Sequence, residues 1–245
     1  MTDGLLLIHA FPLDARMWDP QVRAFRGRVP VVAPNLPGFG GTALPSGTLS
    51  MAAAAQTCIR AMDEAEMDRA VVCGLSMGGY VAFELWKAAP ERVAGLVLAN
   101  TRSQADSPES AEARRRLADR LYQEGNVLVG SPPPLISERA SGTLRDQVLA
   151  WISDQSPTAI AAAALAMASR RDWTPSLASI DVPTMVITSD LDQLIPADVT
   201  MPMADEIPGA QLHVIEGAGH LSNLEGPGRF NELLGEHLRR CGIDA

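Results

Sequence analysis

A serine lies between glycines two positions to either side in Gly74-Leu75-Ser76-Met77-Gly78, and the chain changes character there. Ala70-Val71-Val72-Cys73 before it is an apolar run of strand type, while Gly79-Tyr80-Val81-Ala82-Phe83-Glu84-Leu85 after it reads as helix. In a strand, sharp turn and helix of this kind the serine takes a strained backbone conformation, and a side chain at either glycine would strike the neighbouring strand or helix. The hydroxyl is thereby exposed. The first N–H groups of the helix and the positive end of its dipole point at the same place, where a developing oxyanion would be stabilised. Ser76 therefore reads as a nucleophile. The competing account, a glycine-rich turn with an incidental serine, lacks a reason for the strand before it and the helix after it.

A serine nucleophile needs a base, and the base needs a carboxylate to orient it. Of His9, His213, His220 and His237, only His220 follows both Ser76 and a glycine-rich loop, Gly217-Ala218-Gly219, that could carry its ring back over a sheet edge. His213 falls within a strand, His237 near a helix end, and His9 at the end of the first strand, where a structural role is expected. The acid is sought in Ser189-Asp190-Leu191-Asp192-Gln193-Leu194-Ile195-Pro196, where Asp192 is preferred because it lies deeper in the loop and Pro196 would pin it. Asp190 is the alternative.

Strands and helices must alternate to position these groups. Gly4 to Ile8, Val29 to Ala33, Ala70 to Leu75, Val93 to Ala99, Pro183 to Thr188 and Gln211 to Ile215 read as buried strands, which gives an α/β chain with a mostly parallel sheet of about six strands. A helix is expected from Met51 to Met62 behind Ser50, and an amphipathic one carries Phe230, Leu233, Leu234 and Leu238. Between Arg102 and Trp173 no buried strand is evident, only helical stretches such as Ala111 to Gln123 and Pro157 to Ser169 around Ser131-Pro132-Pro133-Pro134. The expected division is a core of 1–101 and 173–245 with a helical cap of 102–172 over the active site.

The chain has 245 residues, 47% of them hydrophobic, and a formal net charge of −9, which argues against nucleic acid or an anionic membrane surface as partner. Arg114-Arg115-Arg116 is the densest basic spot and reads as a solvated helix face. Cys58, Cys73 and Cys241 lack the spacing of a disulfide framework or zinc site, so reduced thiols and no metal are expected. Leu5-Leu6-Leu7-Ile8 is too short for a signal-peptide core or a membrane span, and a cytoplasmic protein is expected.

With Gly74 to Gly79, His9-Ala10-Phe11-Pro12-Leu13-Asp14, the segment Asp192 to Pro196 and Gly219-His220 in place, the chain resembles the α/β-hydrolases, and within them the cofactor-free 3-oxoadipate enol-lactonase-like esterases. The order serine, aspartate, histidine is theirs. The resemblance implies Ser76 as nucleophile, His220 as base and then acid, Asp192 as orienting carboxylate, and an oxyanion hole from the backbone N–H groups of Phe11 and Met77. It departs at Ala10, where a glycine is usual, at Asn100, where some relatives carry the acid, and in the absence of a hairpin before the first strand; an exposed first strand is expected to leave an edge. The implied reaction is hydrolysis of a small ester or lactone, without cofactor, by a monomer or homodimer. Trp18, Phe39, Trp151, Met167 and Trp173, with Phe11 and Met77, are the expected pocket walls, and Arg114, Arg139 or Arg170 would have to reach inward to hold a carboxylate-bearing substrate. Alternatives are a haloperoxidase or perhydrolase using the same triad, and a ligand-sensing protein that keeps the triad as a receptor pocket.

Overall fold

The computed structural model describes residues 2–243. Six strands form one parallel sheet: β1 (Asp3–Ile8), β2 (Val31–Val32), β3 (Arg69–Leu75), β4 (Val93–Ala99), β5 (Thr184–Ser189) and β6 (Gln211–Ile215), in the order β2-β1-β3-β4-β5-β6. β1, β3, β4 and β5 are buried along almost their whole length, which is why they read as continuous apolar runs and not as alternating ones. The first strand is therefore not an edge, contrary to expectation: β1 pairs with β2 on one side and β3 on the other, and the edges are the two-residue β2 and the half-exposed β6. The second strand is shorter than the apolar run from Val29 to Ala33 implies, because only Val31 and Val32 reach a ladder partner.

Helices connect the strands. They are α1 (Asp19–Phe25), α2 (Met51–Glu64) and α3 (Met77–Ala88), then, between β4 and β5, α4 (Pro108–Glu124), α5 (Gly142–Ser153) and α6 (Pro157–Ala168). The short α7 (Ala197–Thr200) and α8 (Pro202–Glu206) precede β6, and α9 (Ser222–Glu225) leads into α10 (Pro227–Arg240). Side chains start three of them: Ser50, Ser107 and Ser141 accept hydrogen bonds from the N–H groups of Ala53, Ser110 and Leu144. α10 buries Phe230, Leu233, Leu234 and Leu238, the apolar face its spacing implies.

Direction reverses between β1 and β3, since β2 lies on one side of β1 and every later strand on the other. Loops leaving the carboxyl ends of β1 and β3 diverge at that point and open a crevice, the usual place for a ligand in a sheet of this kind. The loops of residues 9–14 and the turn at Ser76 both leave from it.

Two buried histidines couple this fold to pH. His9 is fully enclosed; its Nε2 accepts the Leu36 N–H at 3.0 Å while Nδ1 lies 3.1 Å from the Ala10 carbonyl, so the ring is neutral with the proton on Nδ1. Burial pushes its pKa down to about 4, and burial beside Arg240 does the same for His237. Both groups bind protons more readily unfolded than folded, so stability is complete above about pH 6.5 and is lost as pH falls toward 4, by up to about 3 kcal/mol for each ring. Urea denaturation at pH 7.0 and 4.5 is expected to give a clear loss of stability on acidification, and His237→Leu is expected to flatten that dependence.

Candidate active site

Ser76 follows the last residue of β3 and precedes the first of α3, with φ 56° and ψ −115°, a region that L-residues avoid. The turn is held from several sides. Ser76 N–H donates to the Ala99 carbonyl at 2.9 Å, and the Ser76 carbonyl accepts from Gly79 N–H at 2.9 Å and from the Thr101 hydroxyl at 2.8 Å. Cβ atoms are excluded on both sides, since one on Gly74 would overlap the Gly78 carbonyl and one on Gly78 would overlap the Ile8 carbonyl. Ser76 is only partly buried, although residues 70–75 before it and 77–83 after it are buried.

The carboxyl ends of β4 and β5 supply the next layer. Asp192 Oδ2 lies 2.8 Å from His220 Nδ1, both side chains being buried. Asp192 Oδ1 accepts the N–H groups of Leu194 and Ile195, each at 2.9 Å, and Oδ2 accepts Asn100 Nδ2 at 3.0 Å. Burial would raise this carboxyl's pKa, but the hydrogen bond and charge of His220, with the Ile195 and Asn100 bonds, hold it below the ordinary value. With Nδ1 donating to a carboxylate, His220 keeps Nε2 as a proton acceptor. Asp190, the alternative acid, instead accepts Gly217 N–H at 2.6 Å and shapes the loop that carries His220.

That loop is anchored on both flanks. Gly219 N–H donates to Glu225 at 2.8 Å, the Gly219 carbonyl accepts from the Ser189 hydroxyl at 2.6 Å, and Leu221 N–H donates to the Leu135 carbonyl at 2.9 Å. Asn100 ties these parts together, a role its sequence position did not disclose. Besides Asp192 it donates to Ser189 Oγ at 2.7 Å, and its own carbonyl accepts from Ser222 at 2.6 Å. Its φ of +43° is a second strained position, adopted where asparagine is one of the few tolerated side chains.

A cavity of about 200 Å³ opens over Ser76 and His220, walled by Phe11, Tyr80, Leu117, Leu128, Leu135 and Met167 among others. Phe11 and Met167 line this cavity. Trp18, Phe39, Trp151 and Trp173 do not. Trp18 packs on Phe230, Phe39 meets the edge of His9, Trp173 stacks on Phe83, and Trp151 lies buried beneath Arg16. Met77 is buried as the first residue of α3, where its N–H has no partner within the helix. Of the three arginines considered, Arg114 lines the cavity, Arg170 is locked against Asp106 and over the Tyr80 ring, and Arg139 lies beside a separate surface depression. Arg115 and Arg116 remain on the exposed helix face with Glu112. Tyr80 and Arg102 also line the cavity and were not anticipated; a position three residues beyond the β4 terminus was the only available signal for Arg102.

Among the described residues no group of three or more histidine, cysteine, aspartate or glutamate side chains could hold a metal ion, and no helix is long and apolar enough to cross a membrane. Cys58 and Cys73 are buried free thiols that burial pushes up, so neither is a nucleophile of this cavity.

Residues 5–233 match the model of the alpha/beta hydrolase family. The chain belongs to that family. It is 28% identical over 93% of its length to a putative carbamate hydrolase of Azorhizobium caulinodans, covering 87% of that protein, and 25% identical over 97% to 3-oxoadipate enol-lactonase 2 of Acinetobacter baylyi, covering 89%. Among solved structures, a malate-bound thermophilic esterase from Thermogutta terrifontis superposes with a TM-score of 0.92 at 36% identity, covering 98% of this chain and 92% of that one. The enol-lactonase from Burkholderia xenovorans gives 0.86 at 26%, with the same coverage.

Asn100→Ala removes the side chain that three buried groups share. Loss of about 2 kcal/mol or more is expected, because Asp192, Ser189 and Ser222 are each left with an unmet bond. Equilibrium denaturation at pH 7 measures it.

Proposed function

We propose that this carboxylic ester hydrolase cleaves a small, largely apolar ester or lactone through an acyl-serine intermediate, with Ser76 as nucleophile, His220 as base and then acid, and Asp192 as the carboxylate that orients it. The observation that carries this reading is the 2.8 Å contact between His220 Nδ1 and Asp192 Oδ2, with His220 and Ser76 lining one cavity. In the first step Ser76 Oγ attacks the substrate carbonyl carbon and His220 Nε2 takes its proton. The oxygen that gains charge is met by the N–H groups of Phe11 and Met77, the latter reinforced by the N-terminal end of α3. As the tetrahedral species collapses, His220 returns the proton to the leaving alcohol. Water, deprotonated by His220, then attacks the acyl-serine carbonyl, and His220 passes that proton to Ser76 Oγ as the acid leaves. Asp192 stays ionised throughout, in keeping with its lowered pKa, and balances the imidazolium.

In the same reading residues 102–172 are a cap on a core of 1–101 and 173–245. Leu117, Leu128, Leu135 and Met167 supply much of the apolar wall, and the base of the segment is closed where Trp173 N–H donates to the Ser103 carbonyl at 2.9 Å. A cavity of about 200 Å³ is below the ~300–1,000 Å³ usual for drug-sized ligands, which favours short acyl and alcohol groups. The esterase and enol-lactonase relatives support the same bond type.

The purified protein is expected to turn over p-nitrophenyl acetate faster than longer-chain esters and to take one fluorophosphonate adduct, located at Ser76 by mass spectrometry. Ser76→Ala should lose the adduct and at least about 10³-fold in kcat while melting within a few degrees of the wild type. A folded wild-type protein with neither turnover nor adduct rejects the acyl-serine reading.

A further inference from the structure

Two residues of the stretch that follows α4, Pro133 and Leu135, line the cavity over Ser76 and also a second cavity of about 250 Å³. The other apolar walls of the second cavity come from Ile136 and from Val148, Leu149 and Ile152 of α5, none of which lines the first. Neither Ser76 nor His220 lines the second. Its polar border residues, Glu138, Arg145 and Gln193, are all exposed, so the surface it offers a ligand is largely hydrocarbon. A residue that faces two cavities is a partition between them, and this partition is made of a proline ring and a leucine side chain.

The main chain of the partition is held in place. Pro132, Pro133 and Pro134 fix their own φ angles and restrict the residues before them. Leu135 N–H donates to the Pro133 carbonyl at 2.7 Å, and the Leu135 carbonyl accepts Leu221 N–H at 2.9 Å. Two residues further on, Ser137 bonds through its N–H and its hydroxyl to Glu225. The backbone is thus pinned on both sides of Leu135, whose buried side chain takes no part in any of these bonds. A change of that side chain therefore alters the partition without releasing the loop that carries His220.

We propose that Leu135 sets the length of chain that the cavity over Ser76 accepts, and that the second cavity takes the far end of a longer acyl chain once that side chain is shortened. The proposal rests on the hydrolase reading for the reaction but not for the partition. The first cavity, at about 200 Å³, holds a short acyl group with its leaving group, and a linear chain directed at Leu135 ends there. Truncation to alanine removes an isopropyl group. Buried structure relaxes only partly around such a deletion, so the space persists and the joined cavity has more than twice the volume of the first. Each methylene moved from water into apolar surroundings is worth about fourfold in affinity, so an octanoyl chain gains measurably over a butanoyl chain where it fits.

The test is the ratio of kcat/KM for p-nitrophenyl octanoate over p-nitrophenyl butanoate in the wild type, Leu135→Ala, Leu135→Val and Leu135→Ala/Val148→Phe. The ratio is expected to rise about 10- to 100-fold in Leu135→Ala and about threefold in Leu135→Val, and to return to near the wild-type value when Val148→Phe fills the second cavity. Calorimetry with octanamide and butanamide needs no turnover and is expected to follow the same order. Octanamide should bind Leu135→Ala at least about tenfold more tightly than the wild type, while butanamide changes little. An unchanged ratio together with unchanged octanamide binding in a folded Leu135→Ala overturns the proposal, and so does a gain that survives Val148→Phe. Should Leu135→Ala not fold, the milder Leu135→Val decides by the same two readouts. Octanamide binding that tightens in Leu135→Ala and is lost with Val148→Phe, in a protein without esterase activity, supports the partition and rejects only the hydrolytic reading.

Discussion

At residue 76 an L-amino acid is held at φ 56° and ψ −115°, a conformation that costs on the order of 1–3 kcal/mol and persists only where its surroundings leave no alternative. Those surroundings account for much of the sequence near the sheet. Gly74 and Gly78 have no Cβ because the turn brings β3, α3 and the end of β1 into contact, and a Cβ on Gly79 would likewise strike Thr101. Thr101 and Ala99, from the next strand, supply the hydrogen bonds that close the turn. The apolar runs of β1, β3 and β4 make the sheet at this point too well packed to relax. Strain, glycines and core are one device, and its product is a hydroxyl that stands clear of the backbone.

A second constraint follows from placing a carboxylate and an imidazole together in a buried position. Either alone would pay a large desolvation cost, and the pair is tolerable because both oxygens of the carboxylate are hydrogen-bonded. Asp192 receives two backbone N–H groups, one side-chain amide and the imidazole. Asn100 uses both N–H donors and its carbonyl in the same cluster, so the ends of β4 and β5 and the start of α9 are bound into one unit. An aspartate at position 100 could not donate to Asp192 at all. The identity of that residue therefore decides which strand end carries the negative charge.

Much of this is legible in the chain itself, and the division has a physical basis. The turn at Ser76, the strands and the loops that carry Asp192 and His220 are local: glycine spacing, apolar runs and turn residues report them directly. Asn100 is different, because its significance comes from partners 89 to 122 positions away. The tryptophans show the same limit from the other side. Residue type says that Trp18, Trp151 and Trp173 will be buried, but whether a large ring fills the core or walls a cavity depends on which neighbours arrive, and here Phe230, Arg16 and Phe83 arrive first. The order of the strands was equally hidden: β1 is interior only because the two-residue β2 returns to its outer side.

The segment between β4 and β5 lines part of the cavity and also holds the loop that carries His220. Leu135 accepts the Leu221 N–H, and Ser137 bonds through both its N–H and its hydroxyl to Glu225, whose carboxylate also takes Gly219 N–H. A Cβ on Gly219 would come within 2.5 Å of the Ser137 nitrogen, so the two loops are in direct backbone contact. On the opposite side Gln155 bridges the same segment to the core, donating to Asp14 at 2.7 Å and accepting from Gly40 N–H at 3.1 Å. Asp14 belongs to the loop that begins at the end of β1 and carries Phe11. The histidine loop and the Phe11 loop are thus both tied to one helical segment. The positions of both loops are therefore set by hydrogen bonds that no residue of the Ser76 turn itself makes.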